Sequence, residues 1–142
     1  MPTDFPTAQD AEDAFYDAIE ERDPERLRAV WEDSPDIACL LPMQPLLMGA
    51  KVHDALAPVM SGEIPLDIQV RHLHWVEAGD IAIHYVEERV NLPGHPPQPP
   101  LYATNVFRRS DAGWHLILHQ NAPTPPPPGA MAAGMAMPPM AG

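Results

Sequence analysis

The sequence predicts an α+β domain, helices first and antiparallel strands after, and three observations carry that expectation. Ala11, Ala14, Phe15, Ala18 and Ile19 recur at helical spacing near the start, with acids on the opposite side. Apolar and polar residues alternate through about 65–77 and again through about 80–92, as in two strands joined at Ala78-Gly79. The apolar runs Leu101–Phe107 and Trp114–Ala122 flank the polar turn Ser110-Asp111-Ala112-Gly113 and read as an antiparallel hairpin.

The elements follow in order. A first helix is expected from about Thr7 to Arg22. Asp23-Pro24 then supplies an N-cap and a proline at the first helical position, opening a short second helix that buries Leu27, Val30 and Trp31. Asp33-Ser34-Pro35 closes it. Ile37–Leu41 and Leu46–Met48 read as short strands around Pro42–Pro45, and Gly49 breaks the pattern. A third helix over about Ala50–Ser61 turns Val52, Ala55, Leu56, Val59 and Met60 inward, with Pro58 bending it. In the strand over 80–92, Ile81, Ile83, Tyr85, Glu87 and Arg89 share one face, and Ala82, His84, Val86, Glu88 and Val90 share the other. Neither face is wholly polar, so helices are expected on one side of the sheet and a second subunit on the other. Pro93–Pro100 is too rich in proline to pair and must be a loop.

The organisation is a single domain over 1–123 followed by a Pro/Met/Ala-rich flexible tail over 124–142. A length of 142 residues and a hydrophobic fraction of 45% suit one domain with a real core. The net charge of −12 argues against a nucleic-acid partner, which needs clustered Lys and Arg. No apolar run approaches the roughly 20 residues of a membrane span, and the start MPTDFPTAQD lacks the basic and apolar regions of a secretory signal. A cytoplasmic location is the resulting expectation. Cys39, the single cysteine, lies in an apolar run with no activating base nearby and reads as a buried, inert thiol.

The hairpin has a mixed character. One face of its first strand carries Leu101, Ala103, Asn105 and Phe107, and uninterrupted alternation continues that face through Trp114, Leu116, Leu118 and Gln120. An apolar face holding one Asn and one Gln suits the floor of a pocket.

Several fragments, in this order and spacing, resemble the nuclear transport factor 2-like superfamily. They are DPERLRAVW (Asp23–Trp31), PDIACLLP (Pro35–Pro42), Gly49, ATNVFR (Ala103–Arg108) and Gly113-Trp114 through His119. The SnoaL-like branch, with the association domain of calmodulin-dependent kinase, is the part resembled. The resemblance implies a cone-shaped α+β roll: three N-terminal helices packed on a curved antiparallel sheet, an internal pocket, and a homodimer through the outer sheet face. Ketosteroid isomerases of this superfamily use a carboxylate base with a Tyr and a protonated Asp as oxyanion donors. The matching positions here are Leu41 for the base, Phe15 for the tyrosine and Asn105 for the third donor. Leu41 has no titratable group, so chemistry of that kind is not expected. Other relatives carry last-strand histidines facing the pocket, where this chain has Leu118 and Gln120; His119 is expected to face outward.

On that template the ligand-binding residues are Phe15, Trp31, Leu41, Tyr85, Asn105, Leu118 and Gln120, with Glu87 the one acid expected in the cavity. The expected function is binding of a small apolar or mixed-polarity molecule without cofactor. An alternative is an isomerase, cyclase, dehydratase or hydrolase with Glu87 and Asn105 as catalytic groups. A third is an assembly module recruiting partners through the sheet face and tail. His72 and His74, two apart on one strand, and His84 on the next offer three imidazoles, but no regularly spaced acid or Cys completes a set. They read as surface or interface residues, and no metal site is expected.

Overall fold

The computed structural model describes residues 5–63 and 65–123, so the tail expected over 124–142 lies outside the described residues. Helix α1 spans Ala8–Glu20, and the Thr7 hydroxyl accepts the Asp10 backbone N–H at 3.0 Å to cap it. Helix α2 spans Pro24–Val30, capped by the Asp23 carboxylate on the Arg26 N–H at 3.1 Å. The Asp23 cap stands where the sequence signal put it, because capping is decided within one turn of chain.

The third helix departs from expectation. A 3₁₀ segment, Gly49–Asp54, is followed by a single helical turn, α3, at Ala57–Met60. Pro58 explains the break: it has no N–H to donate and its ring crowds the carbonyl four residues back, so helix cannot run through Ala55-Leu56.

Strands β1 (Ala38–Leu40), β2 (Leu47–Met48), β3 (Asp67–Ala78), β4 (Ile81–Asn91), β5 (Leu101–Ser110) and β6 (Gly113–Pro123) form one sheet in the order β2-β1-β6-β5-β4-β3. The sheet is curved, unclosed and mixed, not purely antiparallel. Strand β1 runs parallel to β6, with Cys39 opposite His119. The chain leaves α2, adds β1 to what becomes the β6 edge, and returns to that edge only after building β3 to β5.

The helices cover one sheet face. Phe15, Val30, Ile37, Phe107 and Leu116 are fully buried between the layers, and Trp31 and Trp114 close the core. Each such side chain contributes about 1.5–3 kcal/mol by leaving water. The β5–β6 turn is fixed by Gly113, whose φ is +95° and where a Cβ would stand 2.9 Å from the Phe5 carbonyl oxygen. That carbonyl accepts the Trp114 N–H at 2.9 Å, tying the N-terminus to the hairpin.

Two irregularities re-aim side chains. In β3 the pairing steps from His72↔Val86 to His74↔Tyr85, leaving Leu73 extra. Between β5 and β6 it steps from Val106↔Leu118 to Phe107↔Leu116, leaving Ile117 extra. Each bulge inverts the alternation beyond it. No helix among the described residues is long and apolar enough to cross a membrane.

Candidate functional site

The inner sheet face past the two bulges is polar at its centre. Helix α1 sends Glu12 and Tyr16, one turn apart, toward Glu88 on β4, Asn105 on β5, and His119 and Asn121 on β6. All six are at most 8% exposed. The Tyr16 hydroxyl donates to Glu88 Oε2 at 2.6 Å and accepts from Asn105 Nδ2 at 3.0 Å. Asn121 Nδ2 donates to Glu88 Oε1 at 2.9 Å. The His119 ring lies between two amide oxygens, Nδ1 at 2.6 Å from Asn105 Oδ1 and Nε2 at 3.1 Å from Asn121 Oδ1. Asn105 Nδ2 also donates to Glu12 Oε2 at 3.0 Å, joining this cluster to a second one, in which Glu12 meets His84 Nδ1 at 2.9 Å and His72 Nε2 at 2.5 Å.

Burial sets the protonation of this network. It raises the Tyr16 pKa well above the ordinary range, and the Glu88 charge adds to it, so the hydroxyl remains a donor. It also lowers the pKa of His119, against the pull of the Glu88 charge and the Asn121 bond. For Glu12, burial raises the pKa but is outweighed by the bonds from His84 and Asn105, the His84 charge and the His72 bond, and the carboxylate is held below its usual range.

A cavity of about 370 Å³ opens beside the Tyr16–Glu88 pair. Tyr16, Glu88, His119 and Asn121 form its polar end, while Ile19, Leu41, Leu56, Val59, Ile68 and Val90 are among its apolar walls. That composition, apolar walls with a few convergent polar groups, is typical of small-molecule sites.

Of the residues expected to line the cavity, Leu41 does so. Asn105 is inward and completely buried, one step behind Tyr16. Phe15 and Trp31 are core residues, packed edge to face at 6.2 Å. The other four require correction. Tyr85 and Glu87 lie on the outer face: Tyr85 is 40% exposed and stacks on His74, and Glu87 pairs with Arg71 at 2.9 Å and Arg89 at 3.5 Å. The helices cover the Ala82-His84-Val86-Glu88 side of β4 instead. Leu118 and Gln120 also face outward, opposite Val106 and Thr104, because the Ile117 bulge inverts β6 and turns His119 and Asn121 inward. Cys39 is buried, and burial, then the Glu88 charge, pushes its thiol up to about 12, in accord with an inert residue.

Sequence reading missed Glu12, Tyr16, Glu88, His119 and Asn121. One signal was available: Glu12 and Tyr16 sit at i and i+4 on the same flank of α1 as Ala8 and Ile19, a row that the apolar residues mark as buried.

The SnoaL-like domain model matches residues 9–124. No curated protein matches. A solved structure from Thiobacillus denitrificans, described provisionally as a calcium/calmodulin-dependent protein kinase type II association domain, is 34% identical over 87% of this chain and 99% of its own, with a TM-score of 0.82. A Streptomyces avermitilis protein, described provisionally as a dehydratase of the NTF2-like family, is 31% identical over 82% of this chain and 92% of its own, with a TM-score of 0.70. A Shewanella frigidimarina protein, described provisionally as a ketosteroid isomerase, shares the fold at 14% identity over 79% of this chain and 91% of its own, with a TM-score of 0.65. The chain belongs to the SnoaL-like domain family of the nuclear transport factor 2-like superfamily.

Proposed function

We propose that the cone binds a small, largely apolar molecule bearing a hydroxyl or carbonyl group, seated against Tyr16, Glu88 and Asn121. The observation that carries this reading is Glu88: a carboxylate held between a tyrosine hydroxyl and an amide at the end of an otherwise apolar cavity. Apolar walls supply affinity by excluding water, and the few polar groups fix which end of the ligand enters first.

The 2.6 Å Tyr16–Glu88 bond favours a second, catalytic reading of the same site. A carboxylate beside a protonated phenol can take a proton from the ligand while the hydroxyl steadies the charge that develops. Elimination of water and migration of a double bond both need that pair of functions. The dehydratase description of the Streptomyces avermitilis relative supports this direction. The base would then come from β4, since Leu41 has no proton to exchange.

The test has two stages. An environment-sensitive apolar dye should bind the chain and be displaced by alicyclic ketones or alcohols, and Val59→Trp, which fills the cavity, should abolish both effects. Dye binding unchanged in Val59→Trp would refute the pocket. For any compound that is then turned over, Glu88→Gln should remove turnover while binding persists; turnover that survives the substitution would exclude Glu88 as the proton acceptor.

A further inference from the structure

The second cluster poses a charge problem of its own. Glu12 is a carboxylate at 1% exposure, packed inside the cone beneath the sheet. Among the described residues its hydrogen-bonding partners are Gln9, His72, His84 and Asn105, none of them a Lys or Arg. A buried charge is ordinarily paired with an opposite charge or bound to a metal.

The two imidazoles can serve either solution, and the geometry of the donors fits the second. Glu12 on α1, His72 on β3 and His84 on β4 each offer one ligand atom, and these atoms lie within 4.8 Å of one another. Donors bound to a tetrahedral zinc at about 2.1 Å stand roughly 3.4 Å apart. The closest pairs here, 2.5 Å and 2.9 Å, need only open slightly around an ion. The Leu73 bulge selects the set: it keeps His72 inward beside His84, their rings 5.4 Å apart, and turns His74 out to Tyr85. The sequence reading expected no metal site at His72, His74 and His84; the fold turns His74 away and brings Glu12 to the other two.

We propose that Glu12, His72 and His84 bind a divalent first-row transition-metal ion, zinc foremost. Two imidazoles and one carboxylate form a borderline-soft set that suits zinc, with a fourth position left for water. Asn105 Nδ2, bonded to Glu12 Oε2, orients the carboxylate as outer partners of metal ligands do. The ion enters beside His72, whose side chain is 26% exposed on the edge strand next to exposed Trp75. The site does not open into the apolar cavity. Its consequence is mechanical: one ion ties α1 to β3 and β4, and through Asn105 it fixes the position of the Tyr16 hydroxyl.

The test uses the full chain stripped with chelator and titrated with zinc chloride, then with cobalt chloride as a spectroscopic probe. One ion per chain should bind, the melting temperature should rise by roughly 5–10 °C at saturating zinc, and cobalt should show the intense visible absorption of a low-coordinate nitrogen and oxygen site. His72→Gln, on a partly exposed position, should fold normally by circular dichroism and weaken zinc binding roughly 100-fold or more. Glu12→Gln should do the same; should it not fold, His72→Gln decides the matter alone. Absence of binding to the wild type, or undiminished zinc binding by folded His72→Gln, would overturn the proposal, the latter assigning the ion to surface histidines.

Discussion

Glu87 and Glu88 are neighbours of identical chemistry on opposite faces of β4. Glu87 meets two arginines at the outer surface, whose side chains are 70% and 52% exposed. Glu88 is hydrogen-bonded to a phenol and an amide inside the cone, with the His119 ring 3.8 Å away. The outer carboxylate is held by screened charge in water, where ion pairs add little. The inner one, 7% exposed, is held by directional hydrogen bonds away from bulk water, where an unmatched group is costly. Adjacent residues thus divide into an ornament of the surface and the polar anchor of a cavity, and only the face on which the helices pack makes the division.

The comparison breaks most sharply at Glu88. Glu88→Ala strands the Tyr16 hydroxyl and the Asn121 amide, and it should cost about 2–4 kcal/mol in urea unfolding; a loss no larger than that of the outer carboxylate would contradict the division.

A smaller effect is expected from pH, measured in chelator so that no metal intervenes. His119 has a folded pKa below its ordinary 6.5 because it is buried, so below that value the unfolded chain binds more protons than the folded one. Stability should therefore be complete above about pH 6.5 and decline as the pH falls, with His53, also lowered by burial, pulling the same way. Glu12, whose pKa is depressed from 4.5, adds a second loss that begins below that value as the carboxylate protonates. Urea midpoints that stay level between pH 7 and pH 5 would contradict a lowered His119 pKa.

The smallest effect belongs to the outer face. Glu87→Gln should change stability by about 1 kcal/mol or less and leave ligand binding untouched. A larger change, or altered binding, would bring Glu87 back into the site.

The neighbouring strand shows why some of this was legible in sequence and some not. Asn105 was readable as inward because Leu101, Ala103 and Phe107 flank it at period two without interruption. Gln120 was misread by the same rule, since alternation predicts faces only while the ladder is regular and a bulge at Ile117 leaves no mark in composition. In β4 the alternation was right and the choice of side was wrong: Ile81 and Ile83 on one face are as apolar as Ala82 and Val86 on the other. Glu12 and Glu88 were passed over because an acid in sequence is by default a solvated one, and burial of either depends on partners up to 93 residues away.

The chain by itself determined the helix cap at Asp23, the turns, the strand order along the sequence and the superfamily, all of which rest on contacts within a few residues or on motifs read in order. The tertiary structure alone decided which face of β4 looks inward, where the two bulges fall, and that Tyr16, Glu88, His119 and Asn121 share one cavity while Glu12, His72 and His84 share one point. Those outcomes depend on packing between elements distant in sequence, where the cost of burying a polar group is settled by the partners the fold happens to bring to it.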